Sequence, residues 1–428
     1  VKKAASHGAY AMTWHTQYSE LSAQNFSEVG MLTPAQRAVI ERVERLTREN
    51  IAPRAARYDA LATNPVESWR DLWPEGLLAM AIPPEYGGLG LDMPTYIAVI
   101  ETLAKGCANT AMTVHMHSTV HRFIDALGTP EQKRRYYAET VERGKMFGSW
   151  GSEPSVSLSR TFLVETAIRP VDGGYRIDGV KHFCTMQGGA SYYMVWCALD
   201  GLTDMSKALL QALVPADTPG MRSDGRWDPM GMRATFSPSV VFDNCVVPAD
   251  AALGRPGMAI QVGVVESFAL GYAAIYLGIA QGALEYATQY CQTKVFHPEN
   301  IPIAHEPALQ RHIAEMAIPL EAARLLLYHA AQQWQEADVP TRGLLANKAK
   351  YLATQVGLQV TALAMQVVGG RSALKDLPVE RAYRDLRTCT LMPPTVDRML
   401  EAVGKATLGV AVSMFNLSAA APADELSG

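Results

Sequence analysis

Three histidines, His115, His117 and His121, stand close together in a stretch of otherwise small, hydroxylated or apolar side chains. On a helix His117 and His121, four residues apart, share a face that His115 does not. That spacing suits two ligands of a metal ion, or an imidazole base working near neutral pH. No third ligand accompanies the pair, so no metal is expected, and the plain alternative is a set of satisfied histidines on a partly buried helix. Six cysteines (107, 184, 197, 245, 291 and 389) are scattered without a Cys-x-x-Cys pair. This argues against a zinc site or a disulfide framework and suits a reducing compartment. A second feature lies near the end of the chain. The helix carrying Gln366 meets Gly369-Gly370, and Leu391-Met-Pro-Pro-Thr395 follows a further helix. Paired glycines end a helix and admit close backbone approach. Two consecutive prolines force a loop.

The elements that must position these residues follow an α, then β, then α order. At 428 residues two or three domains are expected. Composition is that of a globular enzyme, and a formal net charge of -4 leaves no basic footprint for nucleic acid. No uninterrupted apolar run near 20 residues is visible and no apolar signal-peptide core precedes residue 30, so a cytoplasmic protein without a membrane span is expected. Residues 1–30 read as an N-terminal extension. Thr33-Pro-Ala-Gln36 and Thr129-Pro-Glu-Gln132 are capping boxes that open helices. A second helical pattern begins at Trp69 and runs into Met80. The first domain, 31–146, is therefore all-helical. Short alternating runs at 163–168 and 175–178 flank Asp172-Gly-Gly174, a hairpin signal. With further strands at 192–199, 208–214 and 239–242 they make a β domain, 147–252. Val265, Phe268, Tyr272, Ile275 and Ile279 then form a helical stripe. Helices at 309–338, 341–368 and 395–408 complete a four-helix bundle, 253–418, before a tail at 419–428.

Several phrases resemble the acyl-CoA dehydrogenases, in the same order along the chain. They are Pro84-Glu-Tyr-Gly-Gly-Leu-Gly90, Gly128-Thr-Pro-Glu-Gln-Lys133, Gly174-Tyr-Arg-Ile-Asp-Gly-Val-Lys181 and Gly231-Met-Arg-Ala-Thr235. Gln366-Val-Val-Gly-Gly370, Val379-Glu-Arg381 and Arg384-Asp385 complete the series. The resemblance spans about 31 to 410. It implies an α+β flavoprotein with an N-terminal all-helical domain, a central β-barrel domain and a C-terminal four-helix bundle, assembled as a dimer or tetramer around FAD. It further implies that Gly151 and Ser152 meet the pyrimidine edge of the flavin. Phe183 would stack on its face, and Thr185 would bond near N5. Lys294 stands where an arginine meets the phosphates. Gln366, Gly369 and Gly370 approach the pyrophosphate of a neighbouring subunit's FAD, and Thr395 closes the loop against the flavin. Pro307 replaces a glutamine of the adenosine site, and Leu158 falls where a serine normally lies near the pantetheine.

The largest departure is at the catalytic loop. In the family a glutamate there takes the α-proton of an acyl thioester; here Pro393 occupies its place and has no ionisable group. In other members the carboxylate sits on the first helix of the bundle, at the position of Phe268, with Ala269 in place of a neighbouring arginine. Glu266 is two residues away, on another helical face. His117 and His121, on the helix that borders the acyl pocket in the family, are the expected substitutes. The resemblance therefore implies an FAD-dependent dehydrogenase of an acyl thioester with a relocated base. Its alternatives are a reduced-flavin-dependent monooxygenase acting on an aromatic, sulfur or amine substrate, and a paralogue without catalysis.

Overall fold

The structure is a computed structural model that describes residues 32–156, 163–223 and 225–411. The expected extension at 1–30, the tail at 419–428 and Leu158 lie outside the described residues. The first helix among the described residues is α1 (Pro34–Leu46), whose Thr33/Gln36 capping box is formed. Two short helices follow, Ala55–Leu61 and Val66–Leu72. The latter stops short of the expected Met80 because Pro74 and a left-handed Gly76 (φ +72°) interrupt it. Then come α2 (Met93–Gly106), α3 (Ala108–Leu127) and α4 (Pro130–Val141).

Next are eight strands: β1 (Phe147–Trp150), β2 (Ala167–Val171), β3 (Gly174–Lys181), β4 (Tyr192–Leu199), β5 (Leu209–Pro215), β6 (Met221–Ser223), β7 (Val240–Pro248) and β8 (Ala252–Leu253). They form one sheet in the order β6-β7-β3-β2-β4-β5-β8, with β1 also on β4. The β2–β3 hairpin turns at Asp172-Gly173, as the sequence indicates. β1 and β2 run parallel to β4 and share one of its edges, β1 over Tyr192–Val195 and β2 over Ala198–Leu199. Between them the chain leaves the sheet at Gly151 and returns by Thr166.

Among the described residues three long helices and two short ones follow: α5 (Ser267–Thr293), α6 (Pro307–Gln332), α7 (Val339–Val368), α8 (Pro378–Cys389) and α9 (Val396–Thr407). By length and apolarity α5 could cross a membrane, yet 83% of its apolar window is buried, packed against α2, α6 and α7. It is a core helix. Arg324 on α6 ties the two helical units together, donating to Glu101 of α2 at 2.7 Å and to Gln281 of α5 at 2.8 Å.

All three units meet at α8. Arg384 forks onto Asp59 at 2.8 and 3.1 Å, bonds Glu380 on its own helix, and donates to the Met230 carbonyl. The next residue, Asp385, accepts the Met232 N–H at 2.6 Å and the Asn109 amide at 3.3 Å, and Asn109 in turn accepts the Ala234 N–H. A Cβ on Gly231 would lie 2.2 Å from the Arg384 carbonyl, so only glycine lets the sheet's loop come this close. Replacing Arg384 by Met leaves Asp59 and Glu380 as buried carboxylates without their cation. Urea denaturation at pH 7 is expected to show a loss of about 3–5 kcal/mol, the cost of removing one partner of a buried pair. A loss within about 0.5 kcal/mol, typical of surface changes, would contradict this account.

Candidate functional site

One wall is built where the chain leaves β1. Lys181, at the end of β3, and Glu153 are both enclosed and meet at 2.6 Å. Glu153 also accepts the N–H groups of Glu165 and Thr166, and Lys181 donates to the Gly151 carbonyl. Burial works against charge on Glu153. The Lys181 ammonium and these N–H donors outweigh it and hold the carboxyl below its usual range. The turn Gly151-Ser152-Glu153-Pro154 is thereby pinned, with Ser152 half-buried. The His182 N–H donates to the Ser152 carbonyl at 2.8 Å, which sets Phe183 beside this turn.

Phe183 to Met186 is laced to the Met232–Pro238 segment. Cys184 N–H donates to Pro238, Met186 N–H to Thr235, and the Ser237 hydroxyl to that of Thr185. Four non-glycine residues of this wall have positive φ: Phe183 (+56°), Met186 (+65°), Met232 (+54°) and Phe236 (+34°). Backbone of this kind costs about 1–3 kcal/mol per residue and persists where surroundings impose it, often at functional sites. Phe183 is also 58% exposed, an aromatic ring held out from the surface beside Trp227. The structure thus brings Gly151, Ser152, Phe183 and Thr185 together. A flat aromatic cofactor fits this wall, which offers an open ring face, the Ser152 and Thr185 hydroxyls and a turn pinned through Glu153.

The resemblance also points to the loop after α8. Pro393 is exposed, and Thr395 starts α9 without using its hydroxyl as a cap. Behind the loop Lys350, wholly buried on α7, donates to the Met392 and Pro394 carbonyls, both at 2.7 Å, and lies 5.2 Å from the Tyr272 ring centre. Burial pushes its amine down to about 7. Sequence reasoning missed this residue, although one signal was present. Lys350 shares a helix face with Ala346, Ala353 and Thr354, where an apolar side chain is expected.

Of the two readings of the histidines, the structure places the side chains in the satisfied, buried arrangement. All three are wholly buried. His117 donates from Nε2 to the Leu78 carbonyl at 3.0 Å and accepts the Phe147 N–H on Nδ1 at 2.9 Å, so both nitrogens are spent on backbone and no lone pair remains for a substrate. The Thr140 hydroxyl donates to Lys145, so His121 Nε2 must be the donor in its 3.1 Å bond to Thr140. His115 accepts from Tyr96 at 2.7 Å and donates to the Phe268 carbonyl at 3.2 Å. Its ring fills the space that a side chain on Gly271 would need, for a Cβ there would sit 2.0 Å from Cε1. Burial lowers His115 and His117 to about 3 and His121 well below its usual value. They are neutral clips between α3 and its neighbours. Around them Phe123, Trp196, Phe268 and Tyr272 form an aromatic cluster with centroids 5.8–6.3 Å apart.

Glu266 is 5% exposed, with Oε2 lacking a hydrogen-bond partner, and burial raises its carboxyl. The remaining expected residues lie elsewhere in the chain. Gln366 is 16 residues beyond Lys350 on the same helix, about 24 Å along its axis. Gly369 (φ +74°) and Gly370 follow it, exposed, with open space around them. Lys294 ends α5, its amine 4.7 Å from the Phe296 ring centre. Within one chain these residues do not join the Ser152–Phe183–Thr185 wall.

An all-helical unit, an eight-stranded sheet and a second helical unit, sharing a wall with an exposed ring, define a flavoprotein oxidoreductase scaffold. The sequence model of the acyl-CoA dehydrogenase N-terminal domain matches residues 33–143, that of the middle domain 148–245 and that of the C-terminal domain 256–408. The chain belongs to the acyl-CoA dehydrogenase family. It is 30% identical to the mitochondrial short-chain specific acyl-CoA dehydrogenase of Bos taurus, over 82% of this chain and 84% of that protein. It is also 30% identical to the dibenzothiophene monooxygenase of Mycolicibacterium goodii, over 80% and 87%. Among solved structures, TdsC of Paenibacillus sp. A11-2 with FMN and indole superposes with a TM-score of 0.79 at 26% identity, over 88% of this chain and 99% of that one.

The clips make stability depend on acid. Below pH 6.5 the unfolded chain protonates the three histidines while the folded chain does not, so stability falls as pH drops from 6.5 towards 3. Asp385, raised by burial to about 6, opposes this with a single proton between 6 and 3.8. The histidines outnumber it, and denaturation midpoints are expected to fall across pH 6 to 4. His117→Gln, less stable at pH 7, is expected to flatten this limb by about 1 kcal/mol per pH unit. An unchanged slope would mean that His117 is not neutral in the fold.

Proposed function

We propose that this chain catalyses a reduced-flavin-dependent oxygenation of a flat, apolar substrate. The observation that carries this reading is the chemistry of the two positions at which the resemblance places a base. One holds Pro393, in an exposed loop, and the other holds Phe268, in an aromatic cluster. A dehydrogenase has to take a proton from carbon, whereas an oxygenase can do without a carboxylate there. The similarity to dibenzothiophene monooxygenase is consistent with that choice.

When bound, the flavin would supply two electrons, so that substrate, dioxygen and reduced flavin yield oxygenated substrate, water and oxidised flavin. The Phe183 ring offers a stacking face. The Ser152 and Thr185 hydroxyls would bond the ring's polar edge, and Glu153–Lys181 would keep the turn fixed while they do so. Phe123, Trp196, Phe268 and Tyr272 would line an apolar site and exclude water. The neutral His115 keeps Tyr96 and the start of α5 in place without adding charge. Lys294, next to Phe296, and Pro307 offer few groups for an adenosine end, which supports FMN as readily as FAD.

Glu266 favours a second reading. A buried carboxyl with an unpartnered oxygen, two residues from Phe268, has the character of a relocated base for thioester dehydrogenation. Two measurements separate the readings. Oxygen consumption on supplying reduced FMN or FAD with an aromatic thioether, with oxygenated product formed in proportion, is the expected result. Anaerobic bleaching of bound flavin by an acyl-CoA, abolished in Glu266→Gln, would replace the oxygenase reading with the dehydrogenase one. Phe183→Gly is expected to weaken flavin binding at least tenfold while leaving folding stability within about 1 kcal/mol, since relief of the positive φ offsets the added chain entropy. Flavin fluorescence titration and urea denaturation measure the two effects.

A further inference from the structure

Two lysines with fully enclosed side chains, Lys181 and Lys350, meet different fates. Lys181 has Glu153. Among the described residues Lys350 has no carboxylate within ion-pair distance, and its amine donates to two carbonyl oxygens. A buried ammonium without an acid survives only where partial negative charges converge. Two converge here, the Met392 carbonyl and the Pro394 carbonyl, one on each side of Pro393. The Tyr272 ring adds its electron-rich face.

The loop has little else to hold it. Pro393 and Pro394 have no N–H, so neither can donate to a neighbouring carbonyl. The Met392 N–H is used on Cys389, whose carbonyl also accepts the Tyr276 hydroxyl at 2.6 Å. Thr395 makes no side-chain cap. A loop lacking donors of its own must be fixed by donors from outside, and Lys350 supplies two, one on each side of Pro393. Its amine does not itself reach a substrate, being fully enclosed. We infer that Lys350 is a positioning residue that fixes the backbone of Met392–Thr395 and with it the face that this loop turns towards flavin and substrate. The second half of that inference rests on the proposed flavin site; the first does not.

The test is therefore made first without flavin. Hydrogen exchange of the amides in residues 389–396 is compared among the wild type, Lys350→Met and Lys350→Arg, with unfolding midpoints recorded for each. Lys350→Met is expected to exchange at least tenfold faster in this segment, with α2 and α3 unchanged, and Lys350→Arg is expected to restore most of the protection. Unchanged exchange in Lys350→Met would overturn the inference whether or not flavin binds. If Lys350→Met fails to fold, Lys350→Arg with wild-type exchange supports it and Lys350→Arg with a freely exchanging loop overturns it. With FMN added, visible circular dichroism of the bound flavin is expected to change in Lys350→Met and return in Lys350→Arg. A wild type that binds no flavin defeats the proposed function while leaving the exchange result to decide the role of Lys350.

Discussion

Two neighbouring charged side chains on one short helix, Arg384 and Asp385, determine how the three units of this chain meet. Arg384 faces the first helical unit and the sheet's loop, and Asp385 faces that loop and the start of α3. Each carries charge into a junction where water is scarce. Such charges favour one mutual orientation, because any other leaves a carboxylate or guanidinium unanswered. The strained Met232 turn is held from both sides by these bonds, and the wall bearing Phe183 is laced to that turn. The position of the exposed ring thus traces back to α8.

Elsewhere the interior is kept electrically quiet. α3 carries three imidazoles, each neutral: His117 joins two backbone groups, His115 joins the Tyr96 hydroxyl to the Phe268 carbonyl, and His121 donates to the Thr140 hydroxyl. Where charge is buried, it is answered locally: Glu153 by Lys181, Glu101 by Arg324, Lys350 by carbonyl oxygens. A cluster of aromatic rings occupies the remaining space.

The order of helical, β and helical units was legible because capping boxes, the Asp172-Gly173 hairpin and the α5 stripe are local signals. β1 was missed: four residues, Phe147–Trp150, are too few to show a period. Lys181 was hidden for another reason. The β3–β7 register slips between Ile177 and Gly179, so simple alternation along the strand no longer tells inward from outward. The histidines were visible, but their partners were not, since spacing reveals a shared face and not the groups that will occupy it. Lys350 and the bonds of Arg384 to Asp59 and Met230 depend on contacts more than 40 residues apart in sequence, beyond the reach of local patterns.

The left-handed backbone at Phe183 also shapes how the protein can drift. At φ +56° a β-branched side chain is strongly disfavoured, while asparagine, aspartate, histidine and glycine are tolerated. Single steps from phenylalanine to valine or isoleucine should therefore be purged on folding grounds alone. The readily surviving replacements would remove the ring or exchange it for a polar group. Descendants of this chain would then tend either to keep an aromatic at this place or to lose it outright, with few aliphatic intermediates between.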